Sequence, residues 1–231
     1  MQNVSSTYRA LHKAGAQAEV SVLLNGVRYY KDTLLAVETQ RSVFGDTPTI
    51  GNCIAGEIDL SIIAPSVTIP RMAQIIPCVR LTDGTTTSEW VQKGVYYIDT
   101  RKTSQTGGEQ VLDIHGYDAM LMAEQDYPVD NGVYPKAATA VVSQIATAIG
   151  VNVDSRTNAY LTGINIPTLP LGFSCREVLS NIAVAACGNF VMSDTGELRF
   201  IPLNDLPEET NLLVTEYGDV ITFGGVGIVI G

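Results

Sequence analysis

Only two histidines occur in the 231 residues, His12 and His115. His115 closes the run Val111-Leu112-Asp113-Ile114-His115. An extended chain puts Asp113 and His115 on one face and Leu112 and Ile114 on the other. A carboxylate and an imidazole so placed could act as a general acid–base pair. The same alternation describes an ordinary polar strand face. No Gly-x-Ser-x-Gly elbow and no phosphate-cradling Gly-x-x-x-x-Gly-Lys loop accompanies the pair. Other carboxylates are equally plain. Asp99 beside Arg101 fits a strand-end ion pair, and Glu208-Glu209 next to Pro207 fits a solvated loop. Glycoside hydrolysis needs two carboxyl groups about 5–9.5 Å apart across a cleft, and spacing alone places no such pair. Gly224-Gly225-Val226-Gly227 is glycine-rich, but no helix follows to aim its amides at a phosphate.

The cysteines are Cys53, Cys78, Cys175 and Cys187. They form no Cys-x-x-Cys and have no histidine at a ligand spacing, so no metal centre is expected. Cys175 and Cys187 lie in an apolar helical pattern and read as reduced, buried thiols. The expectation is a chain with no catalytic residues, no metal and no cofactor. The aromatic residues point elsewhere. Trp90, Tyr96 and Tyr97 cluster, and Tyr29 and Tyr30 make a second pair. On an alternating strand one tyrosine of each pair faces away from the core. Tyrosine and tryptophan favour interfaces, so Trp90, Tyr96 and Tyr97 are candidate interface residues, with Phe223, Val226, Ile228 and Ile230 at the C-terminal end. The alternative is that they are ordinary core or rim aromatics.

The elements that must position these residues follow from period and punctuation. Residues 1–17 read as a short turn or arm, since Gly15 stops any helix early. Residues 18–117 read as β structure. Ala18–Leu24 alternates into Asn25-Gly26, a strong hairpin signal because both residues accept positive φ. Further strands are expected over 34–44, with Leu35, Val37, Thr39 and Arg41 on one face, and over 57–62, 75–81, 94–99 and 110–117. Pro77 suggests an edge or a bulge. About eight short strands with regular turns suggest a barrel or sandwich. From Asp118 the pattern becomes α+β. A short helix is expected over 118–125, a helix over 136–149 opened by Pro135 and closed by Gly150, and a helix after the capping box Ser174-Cys175-Arg176-Glu177, ended by Gly188. A hairpin follows over 189–201. Residues 203–231 read as an acidic link with new strands near 212–214 and 220–223. An isolated two-strand piece is marginal in water, so this tail is expected to add to a sheet within the chain or in a neighbour, unless the sequence is a portion of something longer.

Charge adds a constraint. The chain carries 14 basic and 24 acidic residues, a net −10, and only 16% of residues are charged, against roughly 25% in an average soluble domain. Mean hydropathy is +0.16. No apolar run approaches the roughly 18 residues that a membrane span needs, and none has the form of a secretory signal. A charge-poor apolar chain of this kind suits an oligomer with covered faces. The charge is uneven: residues 1–80 sum to +1 and residues 81–231 to −11, with no Lys or Arg from Leu203 onward. That balance argues against a phosphate-tracking nucleic-acid binder.

Several segments together resemble one family, the baseplate hub proteins of phage tails, found also in prophages and contractile injection particles. They are Tyr8-Arg9-Ala10-Leu11, the run Gly51-Asn52-Cys53-Ile54-Ala55-Gly56-Glu57, Gly94-Val95-Tyr96-Tyr97-Ile98-Asp99, His115-Gly116-Tyr117-Asp118-Ala119-Met120, Arg176-Glu177-Val178-Leu179, and Gly188–Phe200. Gly188-Asn189 stands where the family commonly has Gly-Gly. The resemblance implies an α+β chain: an N-terminal tube-like β-barrel (18–117), an α+β inserted domain (118–202) and the beginning of a second β-barrel (203–231). It also implies a homotrimer whose barrels form a pseudo-hexameric ring. Such a ring joins the tail tube protein to a central spike or tail fibre, among other baseplate proteins, in a virion or tail-like particle assembled in the bacterial cytoplasm. DNA would be only passing cargo, eased by an acidic lumen. Two other readings stand beside it: a cell-wall hydrolase of the tail tip, and a receptor- or glycan-binding module.

Overall fold

The computed structural model describes residues 4–203, apart from 46, 48, 66, 67, 107, 130 and 131, together with residues 222–223 and 226–227. The chain opens with helix α1 (Ser6–Lys13), where the sequence suggests only a turn or arm. Ser5 caps it by accepting from the Tyr8 N–H, and Glu89 accepts from both the Ser5 N–H (2.7 Å) and the Ser5 hydroxyl (2.5 Å). The helix is thus tied to the sheet that follows.

That sheet is antiparallel and has eight strands: β1 (Gln17–Leu24), β2 (Val27–Tyr29), β3 (Leu34–Gln40), β4 (Glu57–Ile63), β5 (Gln74–Thr82), β6 (Val91–Gln92), β7 (Tyr96–Thr106) and β8 (Glu109–Asp118). Their order is β2-β1-β5-β7-β8-β4-β3, with β6 on β5. Alternation fills one continuous core from Val22, Leu24, Tyr29, Ile58, Leu60, Ile62, Ile75, Tyr96, Ile98 and Ile114, so the sheet curls around its own inner face. Among the described residues no strand pairing joins the two end strands, β2 and β3, which are linked by the short stretch 30–33. Among the described residues, what stands where a tube-like barrel is expected is a curled sheet whose two end strands are not paired with each other.

Two local features depart from simple alternation. A bulge between Leu34 and Ala36 makes Leu35 the extra residue of β3, so Leu34 and Val37 pack on the core while Leu35 is exposed. The expected common face of Leu35 and Val37 is thereby split. Pro77 lies inside β5, where that strand's outer partner changes from β7 (at Gln74 and Ile75) to β6 (at Cys78 and Val79). A residue with no N–H fits this gap, and the Pro77 carbonyl accepts from the Lys93 N–H at 2.8 Å.

After β8 a 3₁₀ helix (Ala119–Glu124) begins at Asp118, whose carboxylate accepts from the Met120 N–H at 2.9 Å. The α+β unit contains β9 (Lys136–Ala137), α2 (Ala138–Ala148), α3 (Thr157–Leu161), β10 (Asn165–Ile166), α4 (Cys175–Ala185) and the hairpin β11 (Gly188–Met192) with β12 (Leu198–Pro202). Pro135 precedes β9 and does not open the helix. The expected stripes of α2 (Val141, Val142, Ile145) and α4 (Val178, Leu179, Ile182, Ala183) are buried against Phe190 and Phe200. The capping box forms: Ser174 accepts from the Glu177 N–H while Glu177 accepts from the Ser174 N–H. The left-handed residue ending α4 is Cys187 (φ 54°), one position before the expected glycine. Gly188 belongs to β11, where a Cβ would stand 2.3 Å from the Phe200 ring and 2.4 Å from the Ile201 carbonyl oxygen. A final ladder pairs β13 (Thr222–Phe223) with β14 (Val226–Gly227).

Candidate functional site

The outer face of β4, β7 and β8 carries the histidine and carboxylates singled out by type. Asp113 accepts from the Ser61 hydroxyl at 2.6 Å and the Ser104 hydroxyl at 2.9 Å, and these hydrogen bonds hold its carboxyl below the usual range. His115 meets a different carboxylate: its Nδ1 lies 2.8 Å from Asp59, and its ring stands edge-on to Tyr117 at 4.8 Å. A nucleophilic triad needs the imidazole between hydroxyl and carboxylate. Here Ser61 and His115 each have their own carboxylate, so the arrangement is a ladder of cross-strand polar pairs.

A second cluster sits where the sheet meets the α+β unit. The segment between β3 and β4 supplies Arg41 and Gly56, the end of β8 supplies Asp118, and the β11–β12 turn supplies Asp194. They line a cavity of about 270 Å³ with Ser193, Arg199, Met192 and Ile201. Asp118 is 3% exposed and accepts from the Gly56 N–H at 2.8 Å and from the Met120 N–H. Burial outweighs these bonds and pushes its carboxyl up to about 6. Arg41 pairs with Asp194, and burial raises the Tyr96 hydroxyl beside them. The cations and carboxylates neutralise one another, and neighbouring bonds run between the two units. Arg176 donates to the Cys53 and Met120 carbonyls, the Asn189 amide donates to Val43 and Thr49, and the Ser180 hydroxyl donates to Gly51. This cluster is a joint.

The third cluster lies beside the end strands of the sheet. Trp90 lies 6.2 Å from the Tyr30 ring, and the guanidinium groups of Arg80 (4.5 Å) and Arg28 (5.2 Å) stand over it. Glu19 pairs with Arg80 at 2.7 Å, and Arg28 donates to the buried Ser21 hydroxyl at 2.7 Å. A groove of about 580 Å³ opens between β1 and β3 and is lined by Val20, Tyr30, Leu35, Arg80 and Trp90 among others.

The aromatic candidates therefore separate. Trp90 borders the groove. Tyr96 is wholly buried in the sheet core, so it holds the sheet from inside and offers no surface. Tyr97 is half-buried and packs on the α+β core. For Phe223 and Val226 only backbone is described, in β13 and β14, and Ile228 and Ile230 lie outside the described residues. Sequence reasoning missed Val20, Leu35, Arg28 and Arg80. Val20 shares a face with buried Val22 and Leu24 yet is exposed where β1 runs past the end of β2 with no described neighbour, and no local pattern encodes where a neighbouring strand stops. Cys53, Cys78 and Cys175 are buried free thiols, with Cys53 pushed up to about 12 by burial, while Cys187 is exposed rather than buried. Among the described residues no group of three His, Cys, Asp or Glu side chains could hold a metal ion. No described helix is long and apolar enough to cross a membrane.

No protein-family model matches the chain, and no curated protein sequence does. Solved structures do. A 43 kDa tail protein of prophage MuSo2 from Shewanella oneidensis superimposes with a TM-score of 0.60 at 15% identity, covering 85% of this chain and 59% of that one. A tail protein from Neisseria meningitidis MC58 gives 0.51 at 16% identity, covering 79% of this chain and 51% of that one. The present chain thus spans between half and three-fifths of the length of these proteins. Over most of its length it shares the fold of prophage tail proteins.

Proposed function

We propose that this chain is a structural subunit of a phage tail or tail-like particle, and that it serves there as a baseplate hub. The observation that carries the reading is the fold shared with a prophage tail protein across 85% of the chain. The order of the hub-like segments from Tyr8 to Phe200 supports it independently. In this reading three copies form a pseudo-hexameric ring between the tail tube and a central spike or fibre, with residues 18–117 as the tube-forming unit, 118–202 as the inserted unit and 203–231 as a link into further β structure. The low charged fraction of 16% fits sides covered by neighbours, and the net −10 fits a wall past which DNA slides. The work such a subunit does is geometric: it presents strand edges and apolar faces at fixed angles. The α+β unit offers one such face in Leu171, Phe173 and Val184, all exposed. Native mass measurement of the full chain and imaging of intact particles test the proposal. Three copies in one ring at the end of the tail tube are expected; a stable monomer absent from purified particles overturns it.

A further inference from the structure

The cavity at the joint holds a guanidinium that the joint itself does not use. Arg199 stands in β12 opposite Val191 of β11 and lines the cavity of about 270 Å³ together with Arg41, Asp118 and Asp194. It is half-buried, and its Nε is fully buried yet has no hydrogen-bond partner among the described residues. The arginines around it are committed. Arg41 pairs with Asp194, Arg176 with Glu124 at 2.7 Å, and Arg156 with Asp154. Asp154 is within electrostatic reach of Arg199, but its carboxylate is taken by Arg156, through Nε at 2.8 Å and through Nη2. A buried donor left unpaired is costly, and in a native fold it marks a place where a water, an ion or a ligand belongs.

The lining narrows the choice. Val43, Ile54, Val191 and Ile201 give the cavity an apolar side, which suits carbon better than water. Arg199 calls for an anion. Asp118 and Asp194 already face Arg41 and Arg199, so the four charges balance and a doubly charged anion finds no second cation. A singly charged anion can be matched, because Asp118 can take up a proton as it arrives. Asp118 is 3% exposed, and burial lifts its carboxyl to about 6. The groups around Asp118 are Arg41 from the segment after β3, Tyr96 from β7, Arg176 from α4, Asp194 from the β11–β12 turn and Arg199 from β12. We propose that this cavity is a monocarboxylate site, with the carboxylate on the Arg199 guanidinium and a short carbon stem on Val43, Ile54, Val191 and Ile201. Pockets for drug-sized ligands run to roughly 300–1,000 Å³, so the ligand here is small: a free acid of about four carbons, or a glutamate side chain presented by another protein.

Butyrate is the probe. In the full chain labelled with nitrogen-15 at arginine, the Nε–H resonance of Arg199 is assigned by its loss in Arg199→Lys and followed as butyrate is added at neutral pH. A saturable shift confined to Arg199 and its neighbour Arg41 is expected, with butanol and butylammonium giving none and inorganic phosphate a far weaker one. Butyrate also raises the melting temperature of the unaltered chain but not of Arg199→Gln. At about pH 7 only about a tenth of Asp118 carries a proton, so Asp118→Asn tightens butyrate binding about tenfold. Should that variant fold poorly, lowering the pH of the unaltered chain from about 7 to about 6 tightens binding about fivefold by the same reasoning. An Arg199 resonance that does not move, a shift spread over all the arginines, or weaker binding on neutralising Asp118 overturns the proposal. The source of the carboxylate is read from the protein as purified. An acid released on denaturation and identified by mass spectrometry supports the site with a free ligand. An empty cavity that takes butyrate supports it with a partner's glutamate.

Discussion

The two units of this chain use apolar surface in opposite ways. The α+β unit closes on itself. Phe190 and Phe200 stack edge-to-face at 5.2 Å, and Gly188 leaves no space for a methyl group. Asn189, wholly buried, has its amide spent on the Val43 and Thr49 carbonyls and its oxygen on the Asn52 N–H. Most of its exposed apolar residues, such as Val133 and Leu171, lie in loops, while Tyr160 and Val184 stand on the outer sides of α3 and α4. The curled sheet buries an equally dry inner face, but its exposed Val20, Tyr30 and Leu35 flank strand edges with no described neighbour. An exposed loop valine needs no explanation; an apolar residue beside a bare strand edge calls for a partner. The contrast separates residues that build the fold from apolar residues left exposed beside strand edges with no described neighbour.

The largest effect tests whether the α+β unit is as closed as this implies. Phe200 is 1% exposed and fills the space between Gly188 and Phe190. Phe200→Ala should lower the stability of the full chain by about 3–5 kcal/mol, since the cavity cannot collapse around a rigid hairpin. Urea unfolding followed by circular dichroism reads this directly. A loss below about 1 kcal/mol would mean that the unit repacks freely, and the contrast with the sheet would fail.

The local elements of both units are legible in the sequence, and the contacts between distant segments are not. The capping box at Ser174, the stripe Val178-Leu179-Ile182 and the hairpin at Asn25-Gly26 are local devices: the residues that make them stand within a few positions of one another. The joint is not local. Arg176 reaches Cys53, and Asn189 reaches Val43, across more than a hundred residues. One sequence holds no record of such pairs. Period alone says that one of Tyr96 and Tyr97 faces inward but not which. The strand packing decides it: a Cβ at Gly116 would stand 2.5 Å from the Tyr97 carbonyl oxygen, so β7 and β8 meet there at glycine distance while the Tyr96 ring fills the core. Trp90 was picked out by type, yet its partners Arg28 and Arg80 come from other strands.

The joint between the units gives the next largest effect, through pH. The Asp118 carboxyl titrates near 6 in the folded protein because burial disfavours its charge, against about 3.9 in an unfolded chain. Between about pH 4 and 6 the folded state keeps a proton that the unfolded state releases. Stability therefore rises as pH falls from about 6 to about 4, by an amount on the order of 2–3 kcal/mol, and is flat above that window with respect to this group. Asp154 has the opposite sign. Arg156 lowers its carboxyl to about 2, so its contribution is present above about pH 4 and fades as pH falls toward 2. Urea midpoints should thus pass through a maximum near pH 4–5. Asp118→Asn should remove the slope between pH 4 and 6 and leave the acid limb. If that variant keeps the slope, another group controls the joint.

The smallest effect asks whether the units melt as one body. Cys187 ends α4 with φ 54°, a conformation that costs a side chain about 1 kcal/mol, and α2 ends on Gly150 with φ 75°. Cys187 is exposed, so Cys187→Gly removes that strain without opening the core, and the extra entropy of glycine in the unfolded chain offsets part of the gain. A net stabilisation of about 0.5–1 kcal/mol is expected, confined to the α+β unit at its origin. Calorimetry then discriminates. If the joint of Arg41, Asp118, Asp194 and Arg176 couples the units, a single transition moves upward as a whole, by a few degrees. If the sheet unfolds alone, two transitions appear and only the α+β one moves. The first result is expected, because Arg176 and Asn189 tie the segment leading into β4 to α4 and β11, so the sheet cannot open there without stripping bonds from both units.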